Sequence, residues 1–343
     1  MAYSTINKST DYFNTVTYSG NGSNNHTITG VGFNADFVWN KLRNGTDDHR
    51  LFDKARGINK YVESSNATVE ATDAILSTNS DGYVLTDAGE VNSNTGTYVG
   101  WNWIANGQGS SNTDGSINTT YTSVNTTAGF SIVTYTGTGS NATIGHGLGV
   151  APKMIIIKAR NYAKDWTVYH ASLGNGKWLE LNGTAAEQTN SNRWNNTSPT
   201  NQVFTVGVDS GVNGSGYTYV AYCFAEKTGY SKFGSYTGNG NANETFVYTG
   251  FKPAFVLTKK SSGSGNSWRM FDNKRPGFNS NSFKFMHANL NNAEDSGDVM
   301  DLDSNGFKIR TTSNDQNTSG ATYIYMSFGQ SIVGTNNIPA TAR

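Results

Sequence analysis

The chain has 343 residues, 25 Lys and Arg against 25 Asp and Glu, one cysteine, five prolines and 39 glycines. Asn, Thr, Ser and Gly dominate while leucine is scarce, a composition that disfavours helices and suits strands joined by polar turns. Zero net charge without a Lys/Arg run removes the attraction that draws proteins to nucleic acid or anionic membranes, so neither is an expected partner.

The opening residues MAYSTINKSTDYFNT lack the basic and apolar segments of a secretory leader, and no apolar run is long enough to cross a membrane as a helix. The lone Cys223 cannot form an intrachain disulfide, so stability is expected from packing. Tyr12 and Phe13, just ahead of the first repeated block, read as candidate anchors of an attachment segment.

Three blocks then recur in one order. Tyr18-Ser-Gly-Asn-Gly22 is followed by Gly30 to Lys41 and by Leu51-Phe-Asp-Lys-Ala-Arg-Gly57. The same succession returns as Tyr135-Thr-Gly-Thr-Gly139, Gly147 to Lys158 and Trp166-Thr-Val-Tyr-His170, and again as Tyr236-Thr-Gly-Asn-Gly240, Gly250 to Lys259 and Trp268 to Arg275. Each unit finishes on alternating large apolar residues, Tyr98 to Trp103, Tyr219 to Phe224 and Tyr323 to Phe328, which read as a closing strand over a core.

The spacing of about 100 residues is that of a compact domain and too long for a propeller blade or solenoid repeat. The expected architecture is all-β: three tandem β-sandwich domains of jelly-roll or lectin-like kind, each owning its core. The boundaries read as an attachment segment 1–14, repeats at 15–107, 128–226 and 227–329, a polar linker 108–127 and a C-terminal tail 330–343. The short Lys227–Ser231 joint suggests that the second and third repeats are held closer than the first and second.

Chemistry-bearing clusters are sparse. Glu294, Asp295, Asp298, Asp301 and Asp303 form the one dense acidic stretch, and it reads as the solvent side of a strand without EF-hand spacing. The five histidines are dispersed, so no metal site is implied. His170 stands where the other repeats carry Asp53 and Asp272, a variation expected of a packing or surface position. No nucleophile elbow or phosphate loop occurs, so no cofactor is expected and the chain reads as a non-enzyme. Trp166 and Trp268 occupy equivalent positions and are expected in the core. Trp178 and Trp194, with Arg193 beside them in a polar insertion, are the candidate ligand or partner contacts. The many Asn-x-Ser/Thr triplets read as turn chemistry.

The opening segment, the Gly250-Phe-Lys-Pro-Ala-Phe-Val block with Phe271-Asp-Asn-Lys-Arg275, the ending Tyr323-Ile-Tyr-Met-Ser-Phe328 and the last residues Asn337-Ile-Pro-Ala-Thr-Ala-Arg343 carry a resemblance. They resemble a repeated β-sandwich family of structural, tail-fibre-like virion proteins of marine and cyanobacterial tailed bacteriophages. The resemblance implies a non-enzymatic protein on the virion surface, with other tail or capsid proteins as partners and a host-surface glycan or receptor as ligand. By analogy with tail fibres it implies a homo-oligomer, specifically a trimer. A capsid decoration or head-fibre protein is the alternative, and a glycan-cleaving tail enzyme a second.

Overall fold

The computed structural model describes residues 4–331, so the Asn337–Arg343 block and most of the expected tail lie outside the described residues. The first repeat holds β1 (Phe13–Ser19), β2 (His26–Ile28), β3 (Phe37–Leu42), β4 (Arg50–Asp53), β5 (Lys60–Val62), β6 (Ala71–Thr72), β7 (Ile75–Asn79), β8 (Gly82–Leu85), the helical turn α1 (Gly89–Asn92) and β9 (Thr97–Trp103). The second holds β10 (Tyr121–Asn125), β11 (Phe130–Thr136), β12 (Ala142–Gly145), β13 (Met154–Ala159), β14 (Thr167–His170), β15 (Lys177–Glu180), β16 (Gln188–Thr189), α2 (Ser191–Trp194), β17 (Val203–Val206), α3 (Ser210–Asn213) and β18 (Thr218–Phe224). The third holds β19 (Ser231–Thr237), β20 (Phe246–Tyr248), β21 (Pro253–Lys260), β22 (Arg269–Asp272), β23 (Phe283–His287), β24 (Asp295–Gly297), β25 (Met300–Asp303), β26 (Gly306–Ile309) and β27 (Thr322–Gly329).

Each repeat is a two-layer antiparallel sandwich. The large sheets run β1-β9-β3-β4-β5-β6, β10-β11-β18-β13-β14-β15-β16 and β19-β27-β21-β22-β23-β24. The small ones run β2-β8-β7, β12-β17 and β20-β26-β25. The fold is therefore the expected all-β sandwich. The aromatic strands β9, β18 and β27, expected as closing strands over a core, run through the interior of their sheets: β9, for example, pairs with both β1 and β3.

The expectation that each repeat keeps its core to itself is only half of what is found. Behind each large sheet lies a private core, centred on Tyr83 and Val91, on Tyr135 and Phe204, and on Tyr236 and Phe307. The opposite faces of the three large sheets meet in one further interior that draws Phe13, Trp39, Trp101 and Trp103 from the first repeat, Phe130, Trp166, Tyr222 and Phe224 from the second, and Phe255, Trp268, Met326 and Phe328 from the third. The equivalent residues Trp103, Phe224 and Phe328 close a triangle, with ring centroids 6.3, 6.1 and 5.7 Å apart. All three repeat pairs thus touch at similar distance, which corrects the expectation of a closer second and third pair.

The segment 108–127, expected as a polar linker, is also built into the sandwich. Its residues 121–125 are β10, which pairs along β11, and Ile117 is buried in the second private core. Polar composition misled here because an edge strand needs apolar residues on only one face.

The repeated Tyr-x-Gly-x-Gly motif is explained by a brace common to the three repeats. Tyr18 stacks on Tyr98, Tyr135 on Tyr219 and Tyr236 on Tyr323, with centroids 5.1, 5.1 and 4.9 Å apart. Asn92, Asn213 and Asn317, all buried, each accept the backbone N–H of the motif's fourth residue and donate to two carbonyls. A Cβ on the first glycine of each motif would run into the carbonyl of Ser93, Gly214 or Thr318, so only glycine lets the turn dock.

Candidate functional site

Beside the asparagine braces within each repeat, buried polar side chains among the described residues gather at the three seams between repeats, in sets that repeat cyclically. His49, Trp166 and Trp268 are equivalent, and each donates across a seam to an equivalent carbonyl. The partners are His287 O at 3.0 Å, Glu63 O at 2.7 Å and Glu180 O at 2.7 Å. A second ring runs between backbones: Glu294 N to Arg43 O, Glu70 N to Arg160 O and Glu187 N to Ser261 O.

A third set shows why His170 differs from its counterparts. Asp53, paired with Arg56, accepts the Tyr222 hydroxyl at 2.8 Å across the first seam. Asp272, paired with Arg275, accepts the Trp101 indole N–H at 3.0 Å across another. At the seam between the second and third repeats the residue equivalent to Tyr222 and Trp101 is Met326, which has no proton to give. A carboxylate there would be unpaired, and His170 instead donates from Nε2 to Tyr325 O at 3.1 Å. Leu173 accordingly replaces the arginine. The variation at His170 is a matched exchange across a buried seam and not surface drift.

Charge follows the same logic. Glu70 is clamped by Arg56 and Arg160, and Glu294 by Arg43 and Arg275. Burial raises the carboxyl pKa of Glu70, but the arginine hydrogen bonds and charges outweigh it and hold the group below its ordinary value. Glu187, with Ser261 and Leu173 at the two positions where its counterparts have arginines, pairs with Lys177 instead. The equivalent lysines Lys41, Lys158 and Lys259 are wholly buried, hydrogen-bonded to backbone carbonyls, and pulled by burial to about 8.

The residues singled out as contacts take structural places. Trp194 and Trp178 are 2% and 5% exposed in the second private core, so neither offers a face to a ligand. Arg193 lies over the Trp178 ring at 3.9 Å, pairs with Asp209 and donates to Thr167. The polar insertion that suggested exposure is the cover over these rings: α2 turns Trp194 inward, where its indole N–H donates to Lys177 O. Phe13 lies in the shared interior, stacked 5.0 Å from Phe328, so it is interior packing, while the half-buried Tyr12 packs edge-on against Tyr230 at the margin of that interior. Trp166 and Trp268 are buried as expected. Asp301 and Asp303 alternate with buried Met300 and Leu302 and so face outward, while Glu294 belongs to a seam.

The exposed aromatic surface lies elsewhere, at residues that sequence reasoning missed. Tyr248 is 58% exposed and Phe246 44%, flanking inward-facing Val247 on the edge strand β20. The Lys232 ammonium sits 5.4 Å from the Tyr248 ring at the mouth of a cleft of about 210 Å³ that Glu226 and Thr228 also line. Tyr162, 46% exposed, stacks 4.4 Å from Tyr217 with the Lys164 ammonium beside it. Alternating aromatics ordinarily mark the buried face of a strand, which hides an inversion such as that of β20. Among the described residues no group of three or more His, Cys, Asp and Glu side chains is placed to hold a metal ion.

A family model described as a domain of unknown function, DUF7483, matches residues 8–331. Neither a curated protein nor a solved structure matches the chain.

Proposed function

We propose that this chain, which belongs to the DUF7483 family, is a non-enzymatic structural module of a bacteriophage virion, displayed as a tail-fibre-like appendage. The observation that carries the reading is the shared aromatic interior, which joins three sandwiches into one body and spends the buried ionisable groups of the seams on holding repeats together. Such a body is fit to transmit position and resist proteases on a particle surface. Its neutral, polar exterior suits a many-copy component that must not aggregate or depend strongly on salt. The exposed Tyr248 and Tyr162 surfaces are the places for host or virion contacts.

Antibody labelling of intact particles, imaged by electron microscopy, tests the reading. Label on tails is the expected result; label on heads moves the role to capsid decoration, and absence from purified particles overturns it. Incubation with host envelope polysaccharide adds the test of activity, since shortened chains would overturn the non-enzymatic assignment.

A further inference from the structure

The small sheets of the three repeats share one edge strand, recognisable by its central residue. Ile28 in β2, Ile144 in β12 and Val247 in β20 lie in the private cores, opposite Tyr83, Phe204 and Phe307. In the second repeat the chain covers this edge itself. Residues 115–117 run parallel to β12: Ile117 is bridged to Ile144, its N–H donates to Thr143 O at 3.0 Å, and Ser116 exchanges two hydrogen bonds of 2.9 Å with Thr143. An added strand is therefore a cover that this edge accepts. Among the described residues β2 and β20 have no such cover and pair on one side only.

The two open edges differ in what they show to water. The central residue is flanked by Thr27 and Thr29 in the first repeat, but by the exposed rings of Phe246 and Tyr248 in the third. Thr245 O accepts from Ile309 N, Val247 pairs with Phe307, and Thr249 N donates to Asn305 O. Alternation along an antiparallel ladder then turns the N–H and C=O groups of Phe246 and Tyr248 to the open side. Outward backbone groups beside two exposed rings are what sheet edges ordinarily avoid. We propose that β20 receives an extended segment of a partner protein as an added parallel strand, as β12 receives residues 115–117. Phe246 C=O, standing where Thr143 C=O accepts Ile117 N–H, accepts from one residue of that strand, and Tyr248 N–H donates to the same residue. Where Thr143 pairs with the hydroxyl of Ser116, Phe246 presents a ring, so the partner carries two successive apolar residues, one over the rings and the next beside Val247. The inference deepens the contact role given above to the Tyr248 surface and rests on it, while its test uses the isolated chain and so can fail without touching the place of the protein on a particle.

A synthetic peptide of residues 111–119 carrying Ser116→Val, titrated into the full chain and followed by amide chemical shifts and hydrogen exchange in nuclear magnetic resonance spectra, tests the proposal. Saturable shifts confined to residues around 244–250 are expected, with slower exchange of the Tyr248 amide. The unmodified peptide should bind several-fold more weakly. Phe246→Thr together with Tyr248→Thr installs the residues that flank Ile28 in the first repeat, and is expected to melt with the parent while binding the modified peptide at least several-fold more weakly. Absence of saturable shifts, shifts located elsewhere, or undiminished binding by the double variant would each overturn the assignment. A dimer of the free chain in sedimentation that the double variant dissolves would overturn it too, since the occupant of β20 would then be a second copy.

Discussion

The imidazole Nε2 of His170 lies 3.1 Å from the carbonyl oxygen of Tyr325, and the backbone N–H of Ser172 donates to Nδ1 of the same ring. The ring is thereby fixed as the neutral Nε2–H tautomer, because protonating Nδ1 would set a proton against an N–H donor. His49 repeats the arrangement, accepting the Trp39 indole N–H on Nδ1 and donating to His287 O, and so does His146 between Leu148 N and Thr200 O. Two of these three histidines join the third repeat to its neighbours.

Acid should therefore weaken the fold before its carboxylates titrate. Burial pushes His170 down to about 4 and holds His49 well below its ordinary 6.5. Between those values the unfolded chain binds protons that the folded chain refuses, so these rings add no pH dependence above pH 6.5 and stability falls as pH drops from there toward 4. A shift of that size is worth about 3 kcal/mol for His170 alone. Urea unfolding at pH 7 and pH 5 reads about 2 kcal/mol of it, since titration of the folded ring is complete only below pH 4. Equal midpoints would show that the rings accept protons in place.

The matched exchange at His170 predicts strong non-additivity. His170→Asp alone puts a carboxylate against the Tyr325 carbonyl with no donor and should cost about 3–5 kcal/mol. Adding Leu173→Arg and Met326→Tyr recreates the set formed by Asp53, Arg56 and Tyr222, and should recover most of that loss while shrinking the acid response. Chemical denaturation of the single and triple variants gives the comparison; additive losses would mean that the seams are not interchangeable.

The shared interior predicts that the repeats do not melt separately. Phe328 contacts both Trp103 and Phe224, so Phe328→Ala should cost about 3–5 kcal/mol and lower one calorimetric transition as a whole. The fragment 128–226 would expose Phe130, Tyr222 and Phe224 to water and is expected to fail to fold as a soluble monomer. Three resolved transitions, or a stable fragment, would contradict this.

Much of this architecture is legible in the sequence, and what escapes has a physical cause. The order of Tyr18, Tyr135 and Tyr236 with their glycines gives the repeat, because a motif whose glycines must clear a backbone carbonyl tolerates little change. Alternation in Tyr98 to Trp103 gives strand and face but cannot say what covers the face. A signal for the common interior was present in Met154-Ile-Ile-Ile157, a continuous apolar run that implies cover on both sides of a strand, and all four residues are buried. The seam sets are harder to see, since Asp53 and Tyr222 are 169 residues apart and neither looks exceptional in its own neighbourhood. Trp178 and Trp194 mislead because rings under a polar loop and rings exposed beside one read alike.

The buried asparagine brace predicts a loss out of proportion to its size. Asn213 accepts Thr138 N and donates to Ser140 O and Gly207 O, so Asn213→Leu takes this partner from one N–H and two carbonyls, with that of Gly207 fully buried. A destabilisation of about 2–4 kcal/mol is expected. Faster amide exchange should be confined to the 137–140 and 207–213 turns. Exchange that spreads evenly through the repeat would show that the brace does not act locally.

The three lysines predict that mild alkali stabilises the protein. Lys41, Lys158 and Lys259 have a folded pKa of about 8 against an ordinary 10.5, because burial disfavours their charge. Below pH 8 both states carry the proton and the full penalty is present. From pH 8 upward the folded lysines release it first, the unfolded chain binds more protons, and stability rises by up to about 1.4 kcal/mol per pH unit for each lysine. Tyrosine sets the upper limit: burial holds Tyr18, Tyr135 and Tyr236 well above 10, so beyond pH 10 the unfolded chain loses protons that the folded one keeps and stability falls again. The maximum is therefore expected between pH 9 and 10, read from thermal melts across pH 7–11. Lys158→Met removes one of the three ammonium groups and leaves its Ala67 and Ala159 carbonyls unpartnered, so it should lower stability at pH 9.5 and reduce the rise above pH 8 by about a third. A rise of undiminished size would place its source outside the buried lysines.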